Sequence, residues 1–412
     1  MQSITNLKSM FIMLFVMSLA LTAMLIYNSG ERSSTTTSNQ HSTTTTMTTT
    51  TATTAGWGLS KDKPLLFIFA TTEWGEPSPK AGNFTCGHNT TVLEMSNDMS
   101  RLSESNGLFY FASDLPKDNS NWKITLPHPD TMVTVMYGLE TPPHYFGWCY
   151  RVPGCIEYFN WTIGYAAPYS DITETYFRFD VYDEFYNNEL KSPFNFDTLM
   201  ALKEPGKVGS WFNSYCVEIS DVHSTAESER LKFMRRVMER MHVDSYGDCL
   251  HNIDLPPEGN RQNPGNGRVK SEIISHYKFY FALENSNCPY YITEKAVQSL
   301  LHGVVPVFMG HETTLQFMPP GSYVYVNDFN TTKQLVDHLN YLDKNDAEYH
   351  KFFKWREDIE IVKKWGELFK HNDAMCDLYR LYNKFIQNYD SYPRKHAIVD
   401  PGRNQCEDPY SL

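Results

Sequence analysis

The sequence predicts an α/β protein of two domains, preceded by an N-terminal transmembrane helix and a Thr/Ser-rich stem. Three observations predict it. Strand-like apolar runs alternate with helical stretches over residues 207–310, the pattern of a parallel sheet covered by helices. The chain has 412 residues, too many for one ordinary core. Between Lys8 and Glu31 no residue is charged, and Met10 to Tyr27 reads MFIMLFVMSLALTAMLIY; about 18–20 apolar residues cross a bilayer core.

The first element is thus a cytosolic tail at 1–9 and a signal anchor at 10–28. A cleaved signal peptide is the alternative, with Ala20 and Ala23 at the cleavage site, but its apolar core is usually shorter. Lys8 on one side, with Glu31 and Arg32 on the other, mildly favours a cytosolic N-terminus and a lumenal body. A stem follows at 29–60. Its residues 33–55 are almost all Thr and Ser, which cannot bury a core and read as an O-glycosylated stalk or an unmodified linker. All eight cysteines lie beyond it, and an even count in an oxidising compartment implies disulfides. No Cys-x-x-Cys pair supports a zinc site. Sequons at Asn83, Asn89, Asn160 and Asn330 agree with passage through the secretory pathway. The net charge of −12 argues against a general nucleic-acid binder.

The body divides into a first domain at 61–205, a second at 206–360 and a helical tail at 361–412. In the first, PLLFIFA from Pro64, LFYFA at 108–112 and MVTVMY at 132–137 read as buried strands. Residues 140–200 are rich in aromatics and turns and give no clear assignment. The second domain opens with strand text from Lys207. Ala226–Met241 forms an amphipathic helix with Leu231, Met234, Met238 and Met241 in one stripe. VDSYG is a short strand and turn, SEIISHY a helix, KFYFAL a strand, ITEKAVQSLLHG a helix and VVPVFMG a strand. Gly303 suits a helix C-terminus. Residues 331–344 form a further helix through Leu335, His338, Leu339 and Leu342.

The chemistry concentrates in Phe279–Gly310. Thr293 is a good N-cap, with Glu294 and Lys295 in the first turn. A helix N-terminus offers unpaired N–H groups and a positive dipole to a diphosphate, and a lysine there adds a full charge. Taken alone, Thr-Glu-Lys is more often a capped surface helix with solvated charges. The wider pattern is more specific. Glu284-Asn285-Ser286 followed by Tyr291-Ile292-Thr293-Glu294-Lys295 resembles the donor motif of the α1,3/4-fucosyltransferases of glycosyltransferase family 10. That resemblance implies a GT-B fold of two Rossmann-like domains facing a cleft, a Golgi membrane enzyme, GDP-fucose as donor, and inversion at the anomeric carbon. It implies Lys295 on the diphosphate, with Asn285, Tyr291 and Glu294 shaping the donor site. Arg230 precedes Tyr246-Gly247 at the family spacing for a diphosphate-binding arginine, a role its planar fork suits; Arg235, Arg236 and Arg240 compete for it. Trp211 to Cys216 resembles a family strand ending in Ser-Asn-Cys, with Tyr215 replacing a polar residue.

Tyr137-Gly138-Leu139-Glu140-Thr141-Pro142-Pro143 resembles the segment that supplies the family's catalytic base, and Glu140 follows a strand end, where α/β ligands bind. An exposed loop glutamate is the plain alternative. Phe159 to Thr162 with Tyr165 resembles another family segment, but Ala166 stands where relatives carry Arg, so it receives no catalytic role. No Asp-x-Asp metal clamp occurs; no metal is expected to be obligatory, and divalent stimulation stays open. Relatives carry a terminal Cys-x-x-Cys, whereas Cys376 is followed by Asp377-Leu378-Tyr379. The expectation is that Cys376 pairs with Cys406 or that these thiols are free. The resemblance implies transfer of L-fucose to a GlcNAc hydroxyl of a glycan, in α1,3 linkage. The rival readings are a transferase of another nucleotide sugar and a membrane glycan-binding protein without turnover.

Overall fold

The computed structural model describes residues 63–70, 79–87, 90–115, 132–141, 158–165, 170–177, 179–214, 230–260, 263, 266–370 and 373–387, with Cys155, Cys216 and Cys406. The expected anchor, stem and Asn89 lie outside these residues. Among the described residues no helix is long and apolar enough to cross a membrane.

Two sheets organise the body. The first joins β1 (Leu65–Phe69), β2 (Gly82–Thr85), β3 (Thr91–Ser96), β4 (Gly107–Phe111), β5 (Val133–Gly138), β6 (Trp161–Gly164) and β7 (Ile172–Thr173). Its order is β2-β3-β1-β4-β5-β6-β7; β2 runs antiparallel to β3 and the remaining pairs are parallel. The second joins β8 (Gly209–Trp211), β9 (Val243–Ser245), β10 (Phe279–Leu283), β11 (Val305–Met309) and β12 (Val324–Tyr325), all parallel, in the order β12-β11-β10-β8-β9.

The apolar runs are continuous because the central strands are covered on both faces. Leu65, Phe67 and Phe69 enter one core while Leu66 and Ile68 enter another on the opposite face. In the second sheet Phe279, Phe281 and Leu283 meet helix α3 (Arg230–Met238) and helix α6 (Thr332–Asp343). Tyr280 and Ala282 face helix α5 (Glu294–Leu301) and helix α7 (Ile359–Lys370). Helix α1 (Phe179–Lys191), helix α2 (Phe196–Met200) and helix α4 (Asn266–Ser275) complete the main helical set ahead of helix α8 (Ala374–Gln387).

The chain crosses between sheets twice. Helix α1, which precedes residue 206, packs through Tyr182 and Phe185 into the second sheet's core. Tyr182 stacks on Phe369 of α7 at 4.6 Å and donates its hydroxyl to the Val362 carbonyl at 2.7 Å. Helix α8 then returns to the first sheet, placing Ala374, Met375, Leu378, Tyr382 and Phe385 against Phe67, Val135 and Trp161. Each of the larger ones, such as Met375, Leu378 and Phe385, contributes about 1.5–3 kcal/mol on removal from water.

Cysteine pairing corrects the expectation. Cys376 pairs with Cys86 and Cys406 with Cys288, while Cys216 pairs with Cys249. Cys155 is also disulfide-bonded. The expected strand from Lys207 is confined to Gly209–Trp211, and the described part of the Ala226–Met241 helix spans Arg230–Met238. Gly303 ends α5 at φ +66°, the left-handed conformation that suits glycine there. Asn83 and Asn330 are exposed, whereas the Asn160 side-chain oxygen accepts the Thr134 N–H at 2.7 Å.

The Cys86–Cys376 bridge spans 290 residues and ties α8 beside the first sheet. Replacing Cys376 with Ser is expected to lower unfolding free energy by about 2–5 kcal/mol, read by denaturant titration of the oxidised full-length protein.

Candidate active site

The C-terminal ends of β5 and β10 carry short polar segments that face each other. After β5 come Leu139, Glu140 and Thr141; after β10 come Glu284, Asn285 and Ser286. Glu140 Oε2 accepts the Tyr291 hydroxyl at 2.7 Å and the Asn285 amide N–H at 3.2 Å. Among the described residues its Oε1 meets only the Tyr176 hydroxyl, at 3.5 Å. One step along, the Thr141 and Ser286 hydroxyls lie 2.9 Å apart and are buried. The two segments are therefore zipped by direct hydrogen bonds.

Tyr291 is fixed from several sides. Tyr165 and Tyr176 present ring edges to it at 5.0 and 6.3 Å, and Tyr165, Cys288 and Tyr291 form a small apolar cluster with Cys406 against it. Burial and the neighbouring Glu140 carboxylate push the Tyr291 phenol far above its ordinary range, so it remains a proton donor. Its predecessor Tyr290 holds a φ of +63°, a strained conformation for a bulky residue, with its N–H on the Thr313 hydroxyl at 2.8 Å.

Behind this layer sits Glu284, with no exposed surface. It accepts the Thr293 N–H at 2.8 Å, the Thr293 hydroxyl at 2.9 Å and the Lys295 ammonium at 3.1 Å. Burial raises the Glu284 pKa, and the Lys295 charge works against that rise. Burial also disfavours the Lys295 ammonium, but Glu284 and Glu294 outweigh it and hold the group protonated. Glu294 Oε1 lies 3.7 Å from Lys295 Nζ. Thr293 occupies the N-cap position in extended conformation, yet its side chain does not cap the helix. The hydroxyl is drawn back to Glu284, so no threonine oxygen occupies the first-turn N–H groups of α5.

Arg230 opens α3 and is 9% exposed. One guanidinium nitrogen lies 3.4 Å from the Leu283 carbonyl. Burial lowers its pKa, with Glu284, Tyr291 and Glu140 opposing. The structure thus gathers Glu140, Arg230, Asn285, Tyr291, Glu294 and Lys295 into one neighbourhood. Four contributors lack a role in the sequence reading. Glu284 lies inside the recognised motif, and Thr141 follows Glu140, so position alone marked both. Tyr176 carries no sequence signal. Lys270 of α4 is the fourth: its Nζ sits 5.3 Å above the Tyr280 ring, and after Lys295 it helps hold the Glu294 carboxyl down. Tyr215 lies outside the described residues. Nearby, a Cβ on Gly247 would fall 2.1 Å from the Asn213 carbonyl oxygen, so only glycine fits beneath that loop.

Two covered, mostly parallel sheets with a polar site at their strand ends define an α/β architecture of the kind that binds ligand at carboxyl edges. Residues 207–397 match the family model "Glycosyltransferase family 10 (fucosyltransferase) C-term". The chain is 41% identical over 199 residues to "GDP-fucose protein O-fucosyltransferase 3" of Danio rerio, covering 44% of this chain and 43% of that protein. It is 28% identical over 207 residues to "Alpha-(1,3)-fucosyltransferase fut-1" of Caenorhabditis elegans, covering 47% of this chain and 43% of the relative. The matched part spans less than half the length of these relatives. A crystal structure of an α1,3-fucosyltransferase aligns over 81% of this chain and 93% of its own, with 16% identity and a TM-score of 0.47. One with GDP covers 78% of this chain and 96% of its own, with 15% identity and a TM-score of 0.43.

A second, partly buried carboxyl follows β7 of the first sheet. Burial raises the Glu174 pKa to about 8 from 4.5, Tyr137 being its hydrogen-bonding neighbour and Asp373 adding like-charge repulsion. The folded state holds this proton and the unfolded chain releases it near its ordinary pKa. Stability is therefore expected to fall as pH rises from about 4.5 to about 8, by about 1.4 kcal/mol for each pH unit crossed, and to level off above. Glu174→Gln should flatten that slope, as measured by unfolding midpoints at either end of the window.

Proposed function

We propose that this chain transfers L-fucose from GDP-fucose to an acceptor hydroxyl with inversion, as a Golgi enzyme anchored by one N-terminal helix with its body in the lumen. One observation carries the reading: Lys295 stands in the first turn of α5 with Arg230 of α3 close enough to act on its charge, in the same electrostatic neighbourhood as the Glu140 carboxylate from the other sheet. The family match over 207–397 supports it.

On this reading GDP-fucose lies along the second sheet's strand ends. Arg230, Lys295 and the N–H groups opening α5 take the diphosphate, where they offset charge growing on departing GDP. Asn285 keeps a buried Oδ1 with no hydrogen-bond partner among the described residues, an acceptor available to a donor hydroxyl. Glu140 is the general base. Tyr291 and Asn285 occupy Oε2 and fix the carboxylate's orientation, while Oε1, with one long contact, is the oxygen that takes the acceptor proton. The acceptor oxygen attacks the anomeric carbon opposite the leaving diphosphate, through an oxocarbenium-like transition state. No metal is assigned an obligatory part, and stimulation by a divalent ion remains a matter for assay.

A GlcNAc hydroxyl of a glycan, in α1,3 linkage, is the first acceptor reading; the nematode relative's name supports the linkage. A serine or threonine hydroxyl on a protein is the second, favoured by the zebrafish relative's name and 41% identity. Assay of the full-length protein with GDP-fucose against defined glycans and folded protein acceptors separates them; UDP-sugars in parallel test the donor. Glu140→Gln is expected to lower kcat about 10²–10⁴-fold while GDP affinity holds. Lys295→Ala is expected to lower kcat/KM for donor about 10²–10³-fold. Parental rates in both variants would overturn the assignment.

A further inference from the structure

We infer that Glu284 is a positioning residue for fucosyl transfer: its buried carboxylate fixes the Lys295 ammonium and the Thr293 hydroxyl at the head of α5, keeping the lysine set for the donor diphosphate. The inference rests on the donor-site reading given above. A carboxylate without exposed surface is costly unless its oxygens are filled, and here both are. Oε1 takes the Thr293 N–H at 2.8 Å; Oε2 takes Lys295 at 3.1 Å; the Thr293 hydroxyl reaches both at 2.9 Å. Lys295 also donates to Thr293 Oγ1 at 2.7 Å. Glutamate, threonine and lysine thus close a triangle, and the lysine side chain has no freedom to swing from the helix head.

A second consequence follows from charge. Lys295 is faced by Glu284 at the end of β10, Glu294 on α5, Arg230 on α3 and Glu140 after β5. Lys270 on α4 acts on Glu294 in turn, and Tyr176 and Tyr291 lie on the acceptor side of the same network. Glu284 is the carboxylate closest to the ammonium. Removing its charge while keeping its shape leaves burial to work against the ammonium with less opposition, so the lysine would lose its proton at lower pH. The parental donor KM should then be flat with pH, and the variant's should climb. An apolar-core role for Glu284 would lower stability without any such pH signature.

The test is steady-state transfer from GDP-fucose by the full-length protein in detergent, from about pH 6.5 to about pH 9.5, using Glu284→Gln, Glu284→Asp, Lys295→Met and the Gln–Met double variant. Glu284→Gln should raise donor KM about ten-fold more at the alkaline end than at the acid end. Glu284→Asp, which keeps the charge, should restore the flat profile. The double variant should match Lys295→Met, because the carboxylate acts through the lysine. Additive penalties alongside an impaired Lys295→Met would overturn the inference alone, as would a pH-independent loss, or failure of Glu284→Gln to fold while Lys295→Met folds. A parental donor KM in Lys295→Met would overturn the donor-site reading itself, and the inference with it.

Discussion

A carboxylate from one sheet is held by a phenol and an amide from the other. The Glu140 contacts with Tyr291 and Asn285, and the Thr141–Ser286 hydroxyl pair beside them, are where the two halves of the body become one site. Buried polar groups are costly to leave unmatched, so these bonds constrain both loops at once. Much else can be understood as support for that contact. Tyr165 and Tyr176 brace the Tyr291 ring, and the strained Tyr290 backbone turns the chain so that the ring reaches across.

The second constraint is charge. The site holds Arg230 and Lys295 against Glu140, Glu284 and Glu294. Without a ligand these groups largely satisfy one another. On the proposed reading, an incoming diphosphate would add negative charge beside two cations already in place, and little reorganisation would be needed. Thr293 illustrates the economy of the arrangement: its hydroxyl serves Glu284 and Lys295, and the helix end stays open.

Much of this was legible in the sequence. KFYFAL and VVPVFMG became β10 and β11 because doubly covered strands leave continuous apolar text. Glu140 at the end of MVTVMY lies where a strand-end rule puts it. The family resemblance pointed to residues 284–295, and their side chains converge. What could not be read depended on distant partners. Thr293 looked like a helix cap because local text cannot show a buried glutamate waiting behind it. Helix α1 escaped notice because its buried face is built of Tyr182 and Phe185, whose partners on α7 lie far along the chain. Cysteine pairing is likewise a tertiary fact: the next cysteine, Cys406, is not the partner of Cys376, since α8 lies beside β2 and β3.

The Cys288–Cys406 bridge joins the loop bearing Asn285 and Tyr291 to a residue 118 positions further along. On a ribosome, Cys288 emerges long before its partner does. That loop can therefore be stapled only once Cys406 has been synthesised and an oxidant has acted.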